Sequence, residues 1–176
     1  MERLSGHVAQ TAVITDQTRG FVRAGQVQYR AINLPAPEIP LSRTRHPYGW
    51  GPFARLVMPP LPDEPGAYLW QEDNRIVYVG QTRTPLVKRL GPNGYSTISA
   101  YNTLAREAGR RNGGQQTNCR VNALANQALA SGRSLTIWYH VANAADAARL
   151  EQTWMAKFGM PSWNRKLERV RELAEI

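Results

Sequence analysis

The sequence predicts an α+β fold: a small central antiparallel sheet flanked by helices, preceded by an N-terminal β-hairpin and a proline-rich extension. Two short β-prone runs, 67–70 and 76–79, lie on either side of a polar turn at 71–75, which reads as a hairpin. From Gly66 onward the order is strand, strand, helix, helix, helix, strand, helix, and a hairpin-first order does not suit a doubly wound nucleotide-binding sheet. Nine of the twelve prolines fall between Pro35 and Pro65, which keeps the extension apart from this block.

Taken in order, 8–14 alternates loosely, and 21–32 carries strand formers around Gly25, which suggests a further hairpin. The stretch 33–65 excludes a long helix or a central strand, because proline donates no backbone bond. Tyr48, Trp50 and Phe53 suit an extended arm packed against something. The chain therefore divides into an arm, 1–63, and a main domain, 64–176, with a basic insert at about 92–133. Thr84 as N-cap and Pro85 at the first helical position open a short helix through Leu90, which Gly91, Pro92 and Gly94 stop. Helical patterns follow at about 99–111 and 118–130, the second with Val121, Leu124, Ala128 and Leu129 on its apolar side. Residues 135–141 form the clearest remaining strand. Asn143 caps a helix whose stripe is Ala147, Leu150, Trp154 and Phe158, and which ends at Gly159. Residues 165–176 suit a last charged helix.

The 176 residues carry a formal charge of +9, and it is unevenly spread. Residues 76–133 hold eight basic side chains and one acid, Glu107. Nineteen of the 22 basic residues are arginine, the fork-shaped donor suited to phosphates and guanine edges. A polyanion is the first partner to test, and a basic surface without a dedicated ligand is the alternative. A single cysteine, Cys119, excludes an internal disulfide framework and any cysteine-cluster zinc site. There is no run of 18 apolar residues and no apolar core near the N-terminus, so the expectation is a cytoplasmic protein with no membrane partner.

Phosphate-binding and dinucleotide-binding glycine loops are absent, as are the metalloprotease and serine-hydrolase signatures, so no small-molecule cofactor is expected. The scarce acids are more informative. Glu151 lies mid-helix, one turn before Trp154, at the edge of the buried face. There it either binds a divalent cation or pairs with an arginine. Arg89 follows Arg83 and Lys88 in the helix after the hairpin, where surface solvation would also explain it. Tyr68 and Tyr78 occupy corresponding places in the two hairpin strands, either in the core or lining a cleft.

The ordered set is more specific than its parts. Gly66-Ala67-Tyr68, then Tyr78-Val79-Gly80, Arg89, Glu151 and Asn164 resemble the GIY-YIG nuclease superfamily over about residues 64–166. The first triplet reads GAY and the second YVG, each departing only in its apolar middle position. The resemblance implies metal-dependent phosphodiester hydrolysis, with Glu151 holding one Mg²⁺ or Mn²⁺ and Arg89 at the scissile phosphate. It makes one tyrosine a base whose pKa is lowered by cation and arginine, and the other its orienting partner. Asn164 maps to a structural asparagine. Some relatives have a histidine one turn after the arginine, and here position 93 is Asn, so a tyrosine alone or another polar group takes that place.

Residues 94–98 and 113–122 look like the insert of GIY-YIG type II restriction endonucleases, which implies double-stranded DNA as substrate and a homodimer at least on DNA. Arg83, Lys88, Arg106, Arg110, Arg111, Gln115, Gln116, Asn118, Arg120 and Asn122 are then candidates for DNA contact, guanidinium and amide groups being those that read base edges. The arm, with Trp50 and Arg55, is a candidate for wrapping DNA or a second subunit. Two rivals stand beside this reading: a repair, recombination or mobile-element nuclease acting on branched or damaged DNA, and a catalytically silent DNA-binding module.

Overall fold

The computed structural model describes residues 15–105 and 114–164. Strands β1 (Val22–Gln26), β4 (Gly66–Glu72), β5 (Arg75–Thr82) and β6 (Leu135–Val141) form a four-stranded antiparallel sheet in the order β1-β6-β4-β5. Strands β2 (Gln28–Leu34) and β3 (Phe53–Val57) form a separate two-stranded ribbon. The helices are α1 (Leu86–Leu90), α2 (Ala100–Thr103), α3 (Gln116–Ala130) and α4 (Ala144–Phe158). The fold is thus a mixed α+β one, with a small antiparallel sheet flanked by helices. Among the described residues, no helix is long and apolar enough to cross a membrane.

Register decides what each sheet face carries. Tyr68 lies opposite Gly80 and Tyr139, and Trp70 opposite Tyr78 and Ile137, so these side chains share one face. That face packs with Leu86 and Leu90 of α1, Val121, Ala125 and Ala128 of α3, and Ala54 and Leu56 of β3. The other face carries Leu69, Val79 and Trp138 against Trp154 of α4. Register shifts between Trp70 and Gln71, where Val77 is the extra residue, so Ile76 joins the α4 side. The hairpin turn is tight: Asp73 sits at φ 49°, a conformation Asp tolerates, and its carboxylate accepts from the Ser134 amide and hydroxyl.

Helix α3 is held in a way its apolar stripe does not reveal. Asn118, Asn122 and Asn126, four residues apart, are all buried on one face. Asn122 accepts from the Ala54 amide at 2.8 Å and donates to the carbonyls of Ala54 and Tyr95 at 2.9 and 2.7 Å. Asn126 accepts from the Asn33 amide at 2.7 Å. Leu124 and Leu129 are only partly buried.

Several sequence expectations need correction. Segment 21–32 is not a hairpin: β1 pairs with β6 and β2 with β3, and the chain passes between sheets at Val27, whose amide donates to Leu135. The N-cap of α1 is Pro85 rather than Thr84, because Thr84 is tied into a turn with the Thr82 hydroxyl. The helix expected at 99–111 gives α2, which stops at Thr103, where Leu104 bridges to Arg45 and the Ala105 amide reaches Thr44. The remainder of that helix from 106, the strand at 8–14 and the helix at 165–176 lie outside the described residues. Strand β3 occupies a proline-free gap in the proline-rich stretch and is no central strand, as proline chemistry requires.

Candidate active site

Hairpin β4–β5 and helix α1 bring Tyr68, Tyr78 and Arg89 together around a residue the motif did not include, Tyr95. The Tyr95 hydroxyl lies 2.8 Å from that of Tyr68 and 3.3 Å from that of Tyr78, and it accepts from Arg89 Nη2 at 2.9 Å. The Arg89 guanidinium carbon also lies 4.6 Å from the Tyr95 ring centroid. A hydroxyl has one donor and two lone pairs, so these three partners use all that Tyr95 has. Arg89 Nη1 donates to Asn118 Oδ1 at 2.9 Å. The guanidinium is thereby fixed at both ends, with Tyr68 close enough to add to its support.

The glycines in this region make room for the cluster. A Cβ at Gly80 would lie 2.7 Å from the Tyr68 ring tip and 2.8 Å from the Tyr78 ring. A Cβ on Gly94 would strike the Arg89 carbonyl, and the turn closed by the Gly94 amide on the Gly91 carbonyl swings Tyr95 back onto Arg89. That turn explains why spacing missed Tyr95. A helical repeat from Arg89 points to Asn93, which is exposed, whereas the helix has already ended at Leu90. The available signal was the Gly-Pro-Asn-Gly break, which delays the next side chain facing the cluster by two residues.

Asn164 sits on the edge strand β5. Its side-chain oxygen accepts from the Val79 amide at 2.9 Å and its nitrogen donates to the Val79 carbonyl at 2.7 Å. It therefore pairs the strand backbone midway between Tyr78 and Gly80, as a neighbouring strand would.

Electrostatics keep two of the phenols neutral. Burial raises Tyr68 above its ordinary range, the neighbouring Tyr78 oxygen adds to this, and Arg89 opposes it less strongly. Tyr95 is raised for the same first reason, with Tyr68 and Tyr78 adding. At Tyr68, therefore, desolvation outweighs the pull of the Arg89 guanidinium. Burial works against the charge on Arg89, and the surrounding tyrosine oxygens, Tyr68 foremost, more than restore it.

No protein-family model, curated protein or solved structure matches the chain.

Glu151 takes no part in the hydrogen bonds of the hydroxyl cluster. It lies half-buried on α4, and no hydrogen bond or ion pair joins it to another described residue. Burial raises its carboxyl above the ordinary carboxylate range. Of its two sequence alternatives, pairing with an arginine is thus not seen among the described residues. Nor, among the described residues, do three or more His, Cys, Asp or Glu gather into a protein-built metal cage. A half-buried carboxylate without a partner among the described residues does fit a hard cation that takes its other ligands from phosphate and water.

The DNA-contact candidates separate by exposure. Arg83, Lys88, Gln115 and Gln116 are exposed, as are Trp50 and Arg55 of the arm, with Arg45 placed 5.4 Å from the Trp50 ring centroid. Arg120 is half-buried, 5.6 Å from the ring centroid of Tyr48. Asn118 and Asn122 are buried, with their amides engaged inside the protein, which corrects their reading as base-contacting groups. Arg106, Arg110 and Arg111 lie outside the described residues.

Proposed function

We propose that the chain is a sequence-specific endonuclease that hydrolyses double-stranded DNA with one Mg²⁺ or Mn²⁺ ion. On this reading it is a GIY-YIG nuclease of the type II restriction kind, acting as a homodimer at least on DNA. The observation that carries it is the Arg89 guanidinium, anchored by Tyr95 and Asn118 beside the hydroxyls of Tyr68 and Tyr78. Three residues of the ordered motif, Tyr68, Tyr78 and Arg89, share this polar cluster, which supports the reading.

Glu151 would hold the ion, which when bound neutralises charge at the phosphate and at the leaving 3′ oxygen. Arg89 brings its positive charge to the phosphate oxygens, where negative charge grows as the water adds. The tyrosines divide the remaining work. Tyr68 and Tyr95 stay protonated and orient Arg89. Tyr78 has the longest of the cluster's hydroxyl contacts and is 6% exposed against 1% for Tyr68, so of the two motif tyrosines its hydroxyl is the more open to the attacking water and takes the role of base. Arg83, Lys88, Gln115 and Gln116 supply backbone and base contacts, and backbone contacts give an affinity that falls with salt.

The test is incubation of the chain with a long duplex DNA and Mg²⁺, followed by mapping of the ends. Discrete cuts at one short sequence support the proposal, and cuts confined to junctions or flaps favour a repair-type nuclease. Glu151→Ala should abolish cleavage while retaining duplex binding; cleavage by this variant at the wild-type rate would sink the assignment.

A further inference from the structure

We propose that Asn118 is a positioning residue for Arg89, and that Gln115 is the surface end of the hydrogen-bonded chain that sets it. The proposal deepens the endonuclease reading, and its kinetic arm rests on that reading. Arginine is a long side chain with many rotamers, and Arg89 belongs to a helix of only five residues, which cannot by itself aim the guanidinium. Two groups aim it. Tyr95 takes Nη2, and Asn118 Oδ1 takes Nη1.

The Asn118 amide is itself oriented by its neighbours. Its oxygen faces a cation that can only donate, so its nitrogen must point away, and there it donates to Gln115 Oε1. Asn118 is 1% exposed, so its effect on any bound polyanion passes through Arg89. Gln115 is exposed. It stands immediately before α3 and two residues after the segment 106–113, which carries Arg106, Arg110 and Arg111.

Glutamine reads an adenine edge with its oxygen and nitrogen together. The Gln115 oxygen is already committed to Asn118, so a base-edge contact at Gln115 competes with that bond. Such a contact frees the Asn118 amide, and Arg89 then loses the fixed direction of its acceptor. The chain Gln115–Asn118–Arg89 thus links what lies at the start of α3 to the guanidinium two hydrogen bonds away. Neither residue touches the reacting atoms.

The experiment uses the full chain and two readouts. In ¹⁵N-resolved NMR of the free protein, the Arg89 Nη protons should be separately resolved, because two acceptors hinder guanidinium rotation. Asn118→Ala should average them, Gln115→Ala should lower the rotational barrier part of the way, and Asn118→Asp, which keeps the acceptor, should leave them resolved. Arg45, bonded to the Gly49 and Pro37 carbonyls, is the internal control and should not change. If Asn118→Ala fails to fold, Asn118→Ser keeps a polar group at the buried position but is too short to reach, and should give the same averaging.

In single-turnover cleavage of duplex DNA with Mg²⁺, Asn118→Ala should slow the chemical step about 100-fold, the scale of a misplaced catalytic group. Duplex affinity measured in Ca²⁺ should stay within about twofold of wild type, since a buried positioning group acts on the step rather than on binding. Unmoved Arg89 signals in Asn118→Ala and Asn118→Ser overturn the proposal, as does a loss of affinity at an unchanged rate. If the wild-type chain cleaves no DNA, the endonuclease reading fails, and the NMR arm alone decides the positioning role.

Discussion

Replacing Asn122 by alanine tests whether amide bonds, rather than apolar packing, fasten α3 to the rest of the protein. Asn122 is fully buried and makes three hydrogen bonds, two to Ala54 and one to Tyr95. Its removal leaves the Ala54 N–H without that acceptor, at a cost of about 1–3 kcal/mol, and takes a donor from two carbonyls at about 0.5 kcal/mol each. The sum is about 3 kcal/mol, which for a chain of this length corresponds to a fall of roughly 6–12 °C in Tm. Urea unfolding followed by tryptophan fluorescence is a suitable assay, since Trp70, Trp138, Trp154 and Trp163 are all buried. Asn122→Asp separates hydrogen bonding from volume: it keeps the size and one acceptor, loses both donations and buries a charge, so it should be at least as damaging. A loss below about 1 kcal/mol in both variants would refute the reasoning.

Other perturbations probe the site more directly. Gly80→Ala should drive the Tyr68 and Tyr78 rings apart and lower single-turnover cleavage by about 100-fold, with an overpacking cost of about 1–3 kcal/mol in urea unfolding. Because burial raises the Glu151 carboxyl, the folded protein binds this proton more tightly than the unfolded chain does. Glu151 therefore favours folding when protonated, and that contribution is lost as pH rises from the ordinary carboxylate range through the raised value. Glu151→Gln should raise the Tm of the metal-free protein above that window and remove the stabilisation by Mg²⁺ that EDTA reverses in the wild type. The Cys119 thiol, pushed up to about 12 chiefly by burial, should resist a thiol-disulfide reagent at pH 8 until the protein is unfolded.

Much of the framework was legible because it depends on local chemistry. The hairpin, the strand Leu135–Val141 and the helix from the Asn143 cap to Gly159 follow from alternation, capping and glycine stops that act within a few residues. Spacing left Tyr68, Tyr78 and Arg89 open between core, surface and site, and only the resemblance carried by their order implied that they meet. What escaped reading depends on distant partners. Val27 switches sheets because its amide finds Leu135, and Asn118 is a buried acceptor because Arg89 packs beside it. In a bare sequence, a buried asparagine on a helix looks the same as one aimed at a base edge. Tyr95 was hidden by a turn whose exit direction no periodicity reports.

The clasp of Asn164 on Val79 spans 85 positions in the chain, and the bond between Asn126 and the Asn33 amide spans 93. Such pairings close long loops before they return any free energy, which is the regime of slow folding. During synthesis, Tyr78 and Gly80 leave the ribosome long before the asparagine that completes their strand. The edge strand that carries Tyr78 is consequently completed only after residue 164 has emerged. On the endonuclease reading, a nascent fragment ending before residue 164 would bind its cellular polyanions without cutting them.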